Sequence, residues 1–201
     1  ELGINIPTGK DSLSMKQKYK DREVISPGTV IISAAGNCNN INNVIEPNFI
    51  NSEDPIYYID LSNKSSRLGG TAFAQTLGKI GNEASDVCDS QYFKKVFNVF
   101  QDLIKKELII AGHDISSGGL ITTLLEMCFS ENEIGAEIDL SYSKQEDIIK
   151  LLFSENLGIV FQAKSTVEKE FDLKEISFNK IGEVNNTGVL DFSKKDHSYQ
   201  F

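Results

Sequence analysis

The chain has 201 residues, 40% of them hydrophobic and 24% charged, which is enough apolar material for one domain with part of another. Twenty basic against 29 acidic residues give a net charge of −9, and the basic ones are scattered apart from "KQKYKDR" at 16–22. That balance argues against nucleic acid or an anionic membrane as partner.

No apolar run reaches the length of a membrane span and no signal peptide precedes Glu1, so a cytoplasmic protein is expected. Cys38, Cys88 and Cys128 are odd in number and far apart, without CxxC or metal-finger spacing, and read as reduced thiols. Cys128, inside "LLEMCF", reads as a buried structural thiol rather than a nucleophile. The chain begins without methionine inside "ELGINIPTGKDSLSM", as an excised piece of a longer polypeptide would.

Residues 1–23 carry no helical period. "INIPTGKDSLSM" predicts a short strand, a turn at glycine and a second extended piece, followed by a charged connector. Pro27 and Gly28 then precede "TVIISAAG", a β-branched run typical of a buried strand, which sets a domain boundary between 1–24 and 25–201. "DPIYYIDL" at 54–61 is a strand in which Pro55 is confined to the start. "LGGTAFAQTLGKIG" reads as a helix opened by glycines and ended near Gly81.

From Tyr92, the positions Phe93, Val96, Phe97, Phe100, Leu103 and Ile104 recur at three- and four-residue spacing and predict an amphipathic helix. Strand "ELIIAGHD", helix "GGLITTLLEMCF", strand "GAEIDL", helix "KQEDIIKLLFS", strand "GIVFQA" and short helix "VEKEFDL" follow. The strands "FNKIGEV" and "GVLDF" close the order, separated by the turn signal "NNTG". Alternation of this kind predicts a layered α/β domain, and the late short strands predict a mixed rather than wholly parallel sheet with helices packed on it.

The most chemically loaded stretch is "AGHDISSGGL" at 111–120. Asp114 ends a strand and two glycines open the next helix, the place where ligands of open α/β sheets gather. Asp114 could coordinate Mg2+, with Ser116 and the N–H groups of Gly118 and Gly119 meeting phosphate oxygens. A plain alternative has Asp114 or Ser116 capping the helix and the glycines serving close packing. His113 by itself reads as a structural hydrogen bonder.

"SRLGGTAFAQ" at 66–75 repeats the arrangement, with Gly69 and Gly70 open to a ligand and Arg67 adding charge, or with the glycines serving only packing. "TGKDSLSM" has Lys10 and Asp11 beside Ser12 and Ser14 but lacks phosphate-loop spacing. In "FSENLGIVFQ", Glu155 precedes a strand and Leu157-Gly158 reads as a helix C-cap.

Together, "PTGKDSLSM", "LGGTAFAQ", "GHDISSGGL" and "FSENLGIVFQ" resemble, in this order and over nearly the whole chain, the large single-chain phosphoribosylformylglycinamidine synthases. The resemblance is to the second of their halves related to aminoimidazole ribonucleotide (AIR) synthetase. It implies a truncated AIR-synthase N-terminal-like end and connector over 1–24, and a C-terminal-like domain over 25–201. It also implies a glutamine- and ATP-dependent C–N ligase of purine biosynthesis, turning formylglycinamide ribonucleotide into the formylglycinamidine ribonucleotide. By this resemblance Asp114 is a Mg2+ ligand and Ser116 a contact of ATP or ADP; Gly118, Gly119, Gly69 and Gly70, read from their motifs, are expected to contact the same nucleotide. No catalytic residue is assigned.

The partners it implies are the rest of the polypeptide, with N-terminal-like domains and a glutaminase domain, so the isolated piece is expected to be inactive. Ser117 stands where the family often has aspartate and Asn156 where it often has glutamate, each removing a negative charge near the supposed metal site. A small-molecule kinase of the same superfamily and a non-catalytic nucleotide-holding module are the alternatives.

Overall fold

A computed structural model describes residues 2–10, 15–26, 30–38, 40–62, 65–195 and 197–200. Asp11, Ser12 and Ser14 of the turn segment, and Pro27 and Gly28 before the apolar run, lie outside the described residues. The chain divides into two units, Glu1–Ile41 and Asn42–Phe201.

In the first unit, β1 (Lys16–Lys18) pairs antiparallel with β2 (Glu23–Ile25). A hairpin therefore replaces the charged connector read from sequence. Opposite charges across the pair favour it: Lys16 Nζ and Lys18 Nζ lie 3.3 and 3.7 Å from the Glu23 carboxylate. Residues 2–10 hold no strand, and neither do 30–36, expected as a buried one. Val30, Ile31 and Ile32 are 85, 86 and 73% exposed. β-Branched side chains favour an extended backbone, but a strand exists only where a neighbour takes its N–H and C=O groups, and no described segment pairs with this one.

In the second unit the strands and helices follow the order read from sequence, and one further strand, His197–Gln200, is added at the end. The elements are β3 (Ile56–Asp60), α1 (Ala72–Thr76), α2 (Ser90–Lys105), β4 (Ile109–Asp114), α3 (Gly119–Cys128) and β5 (Gly135–Asp139). After them come α4 (Ile148–Phe153), β6 (Gly158–Ala163), α5 (Val167–Leu173), β7 (Asn179–Asn185), β8 (Leu190–Lys194) and β9 (His197–Gln200). Seven strands form one sheet in the order β4-β6-β3-β7-β5-β8-β9. The β5–β8 pair is parallel and the others antiparallel, the mixed sheet expected.

Side chains that alternate along each strand feed two cores. On one face Ile56 and Val160 meet Leu120, Leu124 and Met127 of α3 and Leu152 of α4. On the other, Tyr57, Ile59 and Phe161 meet Val96, Phe100 and Leu103 of α2 and Phe171 of α5. Phe161 is the hub of the second, its ring 5.4 Å from Tyr57, 5.1 Å from Phe100 and 5.8 Å from Phe171. Helix α2 begins where Asp89 accepts from the N–H groups of Gln91 and Tyr92. Phe97, counted in its apolar stripe from sequence, is instead 53% exposed.

Helix α1 is far shorter than its sequence suggests. Thr71 caps it by accepting from the Ala74 N–H, and it stops at Leu77, before Gly78 at φ +64°.

Cys128, the last residue of α3, is half-buried, and burial pushes its thiol up to about 11, whereas Cys38 and Cys88 are exposed. Only the thiolate reacts, and near pH 8 such a thiol is ionised to about one part in a thousand. Iodoacetamide should therefore label Cys38 and Cys88 quickly and Cys128 only after denaturant, as peptide mass spectrometry would show.

Registers bring the functional segments to one end of the sheet. Asp60 faces Gly158, Asp114 faces Ile159, and Tyr58 faces Asn179. The loops before α1 and α3 and after α4 all lie at this end.

Candidate functional site

Gly118 and Gly119 both lie in the left-handed region, at φ +92° and +78°. Only glycine adopts that conformation without strain. A Cβ on Gly119 would stand 2.7 Å from the carbonyl oxygens of Leu152 and Ser154, so this glycine also lets α3 pack against the end of α4. The N-cap of α3 is Gly118, which has no side chain with which to cap the helix. Neither Asp114 nor Ser116 fills the capping role that sequence allowed them.

The acceptor at this helix start comes from a distance. Glu155 Oε1 accepts from the Gly118 N–H at 2.9 Å and from the Ala72 N–H of α1 at 2.8 Å. One carboxylate thus joins the starts of both glycine-led helices, where partial positive charge collects. The sequence reading treats Leu157-Gly158 as a helix C-cap; the structure gives that place to Ser154 and makes Gly158 the first residue of β6. A side chain at Gly158 would collide with the Tyr58 ring at 2.7 Å, which explains the glycine. The start of α3, whose N-cap Gly118 offers no side-chain acceptor, was the available sign that a carboxylate had to reach it.

The other glycine amides are also engaged. Gly119 donates to the Ser116 carbonyl at 3.1 Å, Gly69 to Glu83 at 2.9 Å and Gly70 to Ile80 at 2.7 Å. Arg67 donates through Nη1 to the Ala84 carbonyl at 3.1 Å, while its Nε is buried without a partner among the described residues.

Asn156, next to Glu155, is 8% exposed and ties the site together. Its Nδ2 donates to Ser62 Oγ at 3.0 Å and the Ser65 carbonyl at 3.2 Å. Its Oδ1 accepts from Ser154 Oγ at 2.8 Å, Ser85 Oγ at 3.1 Å and the Arg67 N–H at 3.3 Å. An amide both donates and accepts, as this position requires; a carboxylate could not.

Asp114 is exposed, its side chain 79% accessible, with Oδ1 3.6 Å from His113 Nδ1. His113 Nε2 lies 3.3 Å from Glu126, so the ring bridges β4 and α3. Among the described residues no group of three or more His, Cys, Asp or Glu side chains could hold a metal ion. These residues alone do not make a Mg2+ site: Asp114 supplies one oxygen, and Mg2+ would need phosphate oxygens and water for the rest. Lys10 is exposed and belongs to the other unit.

Residues 52–195 match the family described as AIR synthase related protein, C-terminal domain. The chain belongs to this family. Residues 1–37 match the FGAR-AT PurM_N-like domain. The AIR synthase related chain is 39% identical over 197 residues to a probable phosphoribosylformylglycinamidine synthase, chloroplastic/mitochondrial, of Arabidopsis thaliana. That similarity covers 95% of this chain and 14% of the plant protein.

T. maritima PurL complexed with FGAR shares the fold with a TM-score of 0.61 at 14% identity, covering 80% of this chain and 29% of that one. T. maritima PurL complexed with ATP gives 0.60 at 12% identity, over 80% and 27% of the two chains. The hydrogenase maturation protein HypE gives 0.53 at 18% identity, over 78% and 54%.

Proposed function

We propose that this AIR synthase related chain is part of a phosphoribosylformylglycinamidine synthase and helps to seat a nucleotide. The observation that carries the reading is the 39% identity spread over 95% of the chain. The reaction is the glutamine- and ATP-dependent amidation of formylglycinamide ribonucleotide, with the glutaminase and the other AIR-synthase-like domains supplied by the rest of the polypeptide. A junction of an N-terminal-like end with a C-terminal-like domain, and a cytoplasmic setting with three free thiols, belong to the same reading.

Within it, the start of α3 faces the nucleotide phosphates. The two left-handed glycines at this start, with no side chain of their own, support this, as does the Arg67 Nε, which has no partner among the described residues. Ser116 contributes its hydroxyl. The Gly118 amide reaches a phosphate oxygen only by exchanging Glu155 for it. Mg2+, when bound with the nucleotide, neutralises phosphate charge, and Asp114 gives it one oxygen.

The reading is tested on the longer polypeptide by following ADP release. Release that requires both formylglycinamide ribonucleotide and glutamine or ammonia supports the ligase. ADP release with a small hydroxylated substrate and no nitrogen donor would instead support the kinase alternative.

A further inference from the structure

A cavity of about 730 Å³ opens at the same end of the sheet, lined from both faces, by Leu120 and Leu151 on the α3–α4 side and by Tyr92 and Ser177 on the α2–α5 side, and is within the size range of small-molecule sites. None of the residues assigned to the nucleotide lines it. Tyr58, Asp60, Tyr92 and Tyr142 shape its polar wall. The Tyr58 and Tyr142 rings are tilted against each other with centroids 5.8 Å apart. The Tyr142 hydroxyl is fully buried and has no hydrogen-bond partner among the described residues. A buried hydroxyl left unpaired costs free energy, which a ligand can recover.

Charge decides what kind of ligand fits. Asp60, Asp89 and Glu175 line the cavity against one described cation, Lys144. Asp89 is spent on capping α2, and Glu175 lies 3.8 Å from Lys95 Nζ. Asp60 uses Oδ1 for the Ser62 N–H and Oγ, at 2.8 and 2.7 Å, and its Oδ2 takes no hydrogen bond from the described residues. A phosphate would meet net negative charge here. A cation would meet a free carboxylate oxygen and tyrosine faces, which attract positive charge through their ring quadrupoles.

We propose that this cavity binds a small organic cation of the amine, amidine or guanidine class, with Asp60 as counter-ion and the tyrosines as its walls. The site is separate from the seat of the nucleotide phosphates and does not rest on it.

The test uses benzamidine, with neutral benzamide and anionic benzoate as probes of nearly the same shape. Each is titrated into the 201-residue chain, and binding is read by calorimetry and by fluorescence. The chain has no tryptophan and six tyrosines, three of which line the cavity, so emission reports on the site. Saturable benzamidine binding at least tenfold tighter than benzamide, with benzoate weaker still, is the expected result. Asp60→Asn should reduce benzamidine affinity at least tenfold while leaving benzamide unchanged. Equal binding of the three probes, or no saturable binding of benzamidine, would overturn the proposal. Because the charge series is measured on the unaltered chain, it decides the matter even if Asp60→Asn fails to fold.

Discussion

Asn156→Ala should lower the stability of the chain by about 3 kcal/mol, because it strips five hydrogen bonds from a nearly buried position at once. Each buried group left unpaired costs roughly 1–3 kcal/mol, and water entering from the adjoining cavity returns part of that. A loss of this size in a domain of this length moves the thermal midpoint down by roughly 6–12 °C. Asn156→Asp should be no better. It keeps the acceptor toward Ser154 and Ser85 but turns a carboxylate oxygen toward the Ser65 carbonyl. Thermal unfolding of both variants checks this, and a loss under about 1 kcal/mol for either would deny Asn156 its role as the tie between these loops.

Glu155→Ala should cost about 2–4 kcal/mol, since two hydrogen bonds from amides to a carboxylate are lost together, each worth roughly 1.5–3 kcal/mol before screening at a half-buried site. Glu155→Gln keeps an oxygen in place without the charge, and should lose about half as much. Denaturant unfolding measures both. The slope should not change, because the variants expose no additional surface on unfolding. If alanine and glutamine lose equally little, Glu155 does not hold α1 to α3.

Much of the second unit is legible in the sequence because its signals are local. The α2 stripe follows a 3.6-residue period, and helix α5 is bounded as its sequence suggests. The runs that become β3, β4 and β6 are short, apolar and rich in β-branched or aromatic residues, and each is punctuated by glycine or proline. These features act within one element, so one element's sequence carries them.

What escaped the sequence depends on partners. Val30, Ile31 and Ile32 have strand propensity and no strand beside them. β9, the polar "HSYQ", has little propensity and gains its place at the sheet edge by pairing with β8. The hairpin of β1 and β2 hides in a run that looks merely charged. At the site, Asp114 and the glycines stand out by type, but the residue that joins the two helix starts does not. Glu155 lies 37 positions from Gly118 and 83 from Ala72, and nothing in its own neighbourhood marks it as their acceptor.

The proposed seating of a Mg-nucleotide at the start of α3 is tested in the longer polypeptide carrying Asp114→Ala. The measurement is nucleotide retained through purification, quantified after denaturation, together with the thermal midpoint. A ligand bound only to the folded state adds to its stability, so the two readouts should move together. The expected result is less retained nucleotide, an affinity lower by at least about tenfold, or ~1.4 kcal/mol, and a lower midpoint. Nucleotide content and midpoint equal to those of the unaltered protein would contradict it, leaving the glycines of "AGHDISSGGL" a packing role against α4 and nothing more.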